Sequence, residues 1–136
     1  MEDWVIYSIG AVLSLVAVAG VYSFFSGPNG PMARSWKQRL SELEVASRMG
    51  APEEIIEALR ESAKLYRKLG KRWEAETVLR RALLINTQNF GEISPTIIPI
   101  LHDFASLMDS LHRKKEAEKF RKDAERVRQQ LAKAGK

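Results

Sequence analysis

Residues 42 positions apart repeat their chemistry along most of this chain, and a period of that length restricts the fold more than any composition value does. Ala75 recurs as Ala117, Ala82 as Ala124, Ile85 as Val127, Leu59 as Leu101 and Ala63 as Ala105. Carried backwards, the same offset sets Ala33 and Leu43 beneath Ala75 and Ile85. Within each copy the apolar positions fall at spacings of three and four, the signature of amphipathic helices, and strand signals are almost absent. The spacing predicts helices over about 32–49 (Trp36, Leu40, Leu43), 52–69 (Ile56, Leu59, Ala63, Tyr66), 72–86 (Ala75, Leu79, Ala82), 96–112 (Leu101, Phe104, Ala105, Met108), and from Arg113 into the tail (Ala117, Phe120, Ala124, Val127, Leu131). Pro52 suits the first turn of a helix and Gly70 the residue after one. Alanines at the expected crossings let antiparallel helices approach, where a leucine would hold them apart.

Those residues carry a resemblance. Leu59, Ala63, Tyr66, Gly70, Ala75, Leu79, Ala82 and Ile85, in LRESAKLYRKLGKRWEAETVLRRALLI, resemble the tetratricopeptide repeat consensus. The second copy, LHDFASLMDSLHRKKEAEKFRKDAERV, departs from it at Met108 for the tyrosine, His112 for the glycine and Arg121 for a large apolar residue. The period and the FGEISPTIIPIL lead-in are similar to the longer, kinesin-light-chain type of repeat. The resemblance implies a half repeat over 32–49, repeat one over 50–91 and repeat two over 92–132. It also implies a groove lined by the first helix of each pair, holding an extended peptide or a partner's helix. The matching positions are Arg60, Lys64 and Arg67 in repeat one and His102, Ser106 and Asp109 in repeat two. The basic stripe of repeat one would favour an acidic segment, against the plainer reading of a solvated helix face with Glu57 and Glu61 as neighbours.

Ahead of the repeats, residues 4 to 25 carry no charge, a run of about 33 Å as a helix. This predicts a transmembrane anchor over 1–26 and a Gly/Pro linker over 27–31. Trp4, Tyr7, Tyr22, Phe24 and Phe25 fall at the two expected membrane interfaces, with Arg34 and Lys37 beyond the second. Gly10, Ser14 and Ala17 share one face of small residues for packing against another membrane helix. Glu2 and Asp3 precede the run, whereas Arg34, Lys37 and Arg39 follow it. The asymmetry predicts a single-pass membrane protein with its N-terminus outside and its C-terminal domain cytoplasmic. A cleaved signal sequence, suggested by Ala17-Val18-Ala19, fits less well because no positive segment precedes the run. The expected fold class is therefore all-α: one N-terminal transmembrane helix followed by a short helical-hairpin solenoid of about five helices.

Chemistry is sparse. With no cysteine there are no disulfides or thiolate nucleophiles, and no glycine-rich phosphate loop or HExxH motif is present. His102 and His112 stand ten apart, a spacing that suits no metal motif. We expect no catalytic, cofactor-binding or metal site. The formal charge of +5 is concentrated beyond residue 30, and Arg113–Lys136 holds ten Lys or Arg against four Asp or Glu. Phe120 is the one aromatic there, which disfavours nucleic acid and leaves acidic peptide, anionic lipid headgroups or a solvated cap. The sequence thus reads as a non-enzymatic scaffold, an accessory or assembly subunit of a larger integral membrane protein complex. A tethered receptor for acidic segments of client proteins is the second reading.

Overall fold

A computed structural model of the chain describes residues 20–22, 24, 25 and 27–135. Residues 20–22, 24 and 25 are helical, and five further helices follow: α1 (Pro31–Ala46), α2 (Pro52–Lys68), α3 (Arg72–Phe90), α4 (Ile97–Ser110) and α5 (Lys114–Ala134). The chain divides into two compact units after Gln38, a point inside α1. In the first unit a tight turn precedes α1. The Gly30 N–H donates to Gly27 O at 2.9 Å, and a Cβ at Gly30 would lie 2.4 Å from the Phe24 carbonyl oxygen, so no larger residue fits.

The second unit is built from two helical hairpins. α2 packs along α3 and α4 along α5, and the hairpins join through α3 and α4, with a lesser contact between α2 and α4. Sequence chemistry starts each element locally. α2 opens with Pro52 at its first position, with Glu53 and Glu54 in the first turn and Arg67 and Lys68 in the last, each charge opposing the helix dipole. One core then joins Ile56, Leu59 and Ala63 of α2, Ala75, Leu79 and Ala82 of α3, Ile100, Phe104, Leu107 and Met108 of α4, and Ala117 of α5. A second cluster holds Ile97 and Leu101 against Ala124 and Val127.

The 42-residue period is present in three dimensions. Ala33, Ala75 and Ala117 are 2%, 1% and 0% exposed, and Ala82 and Ala124 are equally buried. The turns inside the two hairpins match bond for bond. Lys71 N–H donates to Tyr66 O at 2.8 Å and Arg113 N–H to Met108 O at 2.9 Å; Gly70 N–H reaches Arg67 O at 3.1 Å and His112 N–H reaches Asp109 O at 3.0 Å. This double closure of a helix end needs a left-handed residue, and Gly70 supplies it at φ +73°. His112 holds the same conformation at φ +58° despite its side chain. Its departure from glycine is tolerated by the turn rather than accommodated by a different one.

Two helix ends differ from expectation. α3 continues past Asn86 to Phe90, with Thr87 Oγ1 and Asn89 Nδ2 donating back to Leu83 O and Ile85 O at 2.9 and 2.8 Å, and Gly91 at φ +82° ends it. α1 ends at Ala46 rather than Met49, where Ser47 Oγ donates back to Glu44 O at 2.9 Å and Gly50 turns the chain at φ +136°.

The membrane assignment requires correction. Among the described residues no helix is long and apolar enough to cross a membrane. Each described helix from α2 to α5 interleaves its buried positions with charged or polar ones, and the longest, α5, is rich in Lys and Arg. The all-α hairpin part of the expected fold class stands, with no transmembrane helix among the described residues, and the single-pass localisation, N-terminus outside and C-terminal domain cytoplasmic, is not supported. Of the expected anchor, Trp4, Tyr7, Gly10, Ser14 and Ala17 lie outside the described residues, while Tyr22, Phe24 and Phe25 are exposed.

Two stability predictions follow from the hairpins. Ala82→Leu, at a position 0% exposed, has no room for added methylenes and should destabilise by about 1–3 kcal/mol; a denaturant midpoint equal to the parent's would show that the crossing is not tight. His112→Gly should raise stability by about 0.5–1 kcal/mol by removing the left-handed penalty, measured in the same titration, whereas His112→Val should lower it.

Candidate partner-binding grooves

The first helices of the two hairpins, α2 and α4, lie over α3 and leave a pocket of about 160 Å³ between them. Its floor is Ala63, Ala75, Leu79 and Leu107; its polar lining is Lys64, Arg67, Asp103 and Ser106. Of the six residues expected to share a groove, Lys64, Arg67 and Ser106 are brought together here. The other three are placed differently. Arg60 donates from Nε to Asp103 Oδ2 at 2.6 Å and from Nη1 to Glu57 Oε2 at 2.8 Å. Its side chain and that of Asp103 are each only 16% exposed, so the pair ties α2 to α4. His102 is exposed and lies outside the pocket lining. Asp109 turns to the opposite neighbour and is bound by Arg121 of α5.

That last contact explains a departure in the second repeat. Position 79 is Leu in the first hairpin and its counterpart 121 is Arg, while 67 is Arg and its counterpart 109 is Asp. The ion pair replaces an apolar contact in one copy and leaves Arg67 without a partner in the other. Lys64 and Arg67 have no ion-pair partner among the described residues, and the one carboxylate lining their pocket, Asp103, is already taken by Arg60. The pocket therefore presents two unmatched cations and a hydroxyl.

Sequence reasoning missed the residues that hold this frame. Asp103 was legible only as an acid 43 positions from a base. Asn86, fully buried, donates from Nδ2 to Ser94 Oγ at 3.0 Å and to Gly91 O at 3.3 Å, and its Oδ1 accepts from Thr96 Oγ1. It pins the long α3–α4 connection. Arg81 donates to Ser47 O at 3.0 Å and so caps the end of α1. The Arg39 guanidinium holds its proton more tightly than usual because it hydrogen-bonds Glu61 and Glu42, the former across to α2. Arg34 and Lys37, expected at a membrane interface, are exposed, and Lys37 Nζ donates to Pro28 O at 3.2 Å. Among the described residues no group of three or more His, Cys, Asp or Glu could hold a metal ion.

Compared with protein-family models, characterised proteins and solved structures, the chain matches none of them. Its chemistry must be read from its own surfaces. On α5 every carboxylate is ion-paired: Glu116 with Arg113, Glu118 with Arg121, Asp123 with Arg126 and Glu125 with Arg128. The lysines at 114, 115, 119, 122 and 133 remain exposed and unmatched, so the helix projects positive charge.

The contrast between two aspartates is a direct check on this geometry. Asp103→Ala should cost about 1.5–3 kcal/mol because it strands a largely buried guanidinium, while Asp109→Ala, at an exposed pair, should cost less than about 1 kcal/mol. Thermal or denaturant unfolding of both variants decides it; equal costs would show that the α2–α4 pair is not a structural tie.

Proposed function

We propose that the chain is a non-enzymatic helical-repeat scaffold of the tetratricopeptide type, an accessory or assembly subunit that holds an acidic segment of a partner protein between α2 and α4. The observation that carries this reading is the pair of unmatched cations, Lys64 and Arg67, beside Ser106 in a pocket whose own carboxylate is consumed by Arg60. The pocket, about 160 Å³, falls below the roughly 300–1,000 Å³ of ordinary small-molecule sites. It suits one carboxylate side chain of an extended segment that continues along the groove. An Arg and a Lys together favour a carboxylate by charge-assisted hydrogen bonds, with Ser106 as a further donor. Shape comes from the rigid helices on either side, and the Arg60–Asp103 tie fixes their separation, so the groove is organised before anything binds.

The test uses the intact chain and a fluorescent peptide of alternating Glu and small residues. Binding should weaken with added salt and fall at least about tenfold in the Lys64→Glu, Arg67→Glu double variant. A lysine-for-glutamate version of the peptide should not bind the parent. Unchanged affinity in the double variant would remove the groove from the function.

A further inference from the structure

The repeat contains its own control experiment. Positions of α3 have counterparts 42 residues on in α5, at the same place in their hairpin, so a residue type the hairpin requires should recur. An exposed apolar residue whose counterparts are polar is not required by the fold. Leu84 is 57% exposed, and its counterparts are Glu42 and Arg126. Trp73 is 82% exposed, and its counterparts are Pro31 and Lys115. Leu83, whose counterparts are Ser41 and Glu125, is by contrast half-buried and packs against both core clusters, so it belongs to the fold. All three lie on α3, and Trp73 and Leu84 are eleven residues apart, three turns or about 16 Å along one face.

That face borders a second trough, on the far side of α4 from the basic pocket. It has a volume of about 350 Å³, with α3 and α5 as walls and α4 as floor. Leu83 and Leu84 form one wall, Phe104 and Met108 the floor, and Phe120 the other wall. Phe104 and Phe120 stack with centroids 4.8 Å apart, which closes the trough from beneath. The charges at its mouth cancel. Glu76 is held by Arg80 at 2.5 Å, and Glu116 by Arg113 at 2.5 Å. Beyond Glu116 the edge of α5 continues with Lys119, Asp123 and Arg126 at helical spacing; Asp123 pairs with Arg126, so Lys119 is the charge left over.

We propose that this trough docks an amphipathic helix of a partner protein, one whose apolar stripe meets Leu84, Phe120 and Trp73 and whose acidic flank faces Lys119 of α5. A trough between two helices receives a third helix lying along it, with anchors every three or four residues. The apolar lining sets the stripe. The unmatched Lys119 sets the charge of the flank. The surface is separate from the basic pocket between α2 and α4, so the chain would offer one face to an extended acidic segment and the other to a helix.

The counterparts also supply the variants. Leu84→Arg and Trp73→Lys install residues that the same fold already carries at positions 126 and 115, so the intact chain should melt within about 2 °C of the parent. The probe is a short, fluorescein-labelled helix-forming peptide with leucines at i, i+4, i+7 and i+11 flanked by glutamates. Fluorescence anisotropy should give a Kd on the order of 10 µM. Either variant should weaken it at least about tenfold, and the Lys64→Glu, Arg67→Glu variant should leave it unchanged. Replacing the flanking glutamates with lysines should also weaken it. No binding by the Glu-flanked peptide, equal binding by a peptide with scrambled leucines, or affinity insensitive to both variants would overturn the proposal. So would sedimentation showing that the chain self-associates and that Leu84→Arg abolishes it, since the trough would then be filled by a second copy.

Discussion

The close approach of helices at alanine is the contact on which the rest of this structure depends. Ala63, Ala75 and Ala82 in the first hairpin, with Ala105, Ala117 and Ala124 in the second, are almost wholly removed from solvent. Each brings backbone near backbone and leaves the larger Leu59, Leu79, Phe104 and Met108 to fill what lies between. Because the same spacing recurs after 42 residues, the hairpins stack in a fixed register. The connection between them has to be rigid for that to hold. Asn86 does this by satisfying Ser94, Thr96 and the Gly91 carbonyl at once, a fully bonded polar cluster inside an otherwise apolar interface.

Stacking of this kind leaves a recess on each side of the hairpin junction, and the two recesses differ in chemistry. On one side α2 and α4 expose Lys64, Arg67 and Ser106; on the other α3 and α5 expose Leu83, Leu84 and Phe120. Leu83 and Phe120 also pack against both core clusters, so the apolar recess is open to solvent chiefly at Leu84. The Arg60–Asp103 pair and the Arg121–Asp109 pair consume charge that would otherwise compete for a ligand, and what they leave unpaired sets the preference of each surface.

Much of this was legible because periodicity depends on backbone geometry, which is the same in both copies. The alanine crossings, the Gly70 turn and the Pro52 start follow from local rules. Less legible were the places where one copy solves the same problem differently. Arg121 in an apolar slot reads as a flaw until Asp109 is seen beside it, and His112 reads as a broken turn although it takes the left-handed conformation of Gly70. Arg60 reads as a free groove cation, but its partner lies 43 residues away on another helix. Asn86 reads as a helix end, since nothing in a one-dimensional pattern marks a buried amide that gathers three loop groups. The uncharged run near the N-terminus was read from its length, its flanking aromatics and the charge asymmetry around it, and among the described residues no helix meets the requirement for crossing a membrane.

The stacking register is open to direct measurement because the chain has no cysteine to interfere with labelling. Thr77 and Lys119, both exposed and 42 positions apart, lie on α3 and α5 on either side of the apolar trough. Spin labels on the Thr77→Cys, Lys119→Cys variant of the intact chain should give a single narrow distance of about 20 Å, two helix diameters or less. A broad distribution centred beyond about 30 Å would mean that the hairpins do not stack and that neither recess exists as described.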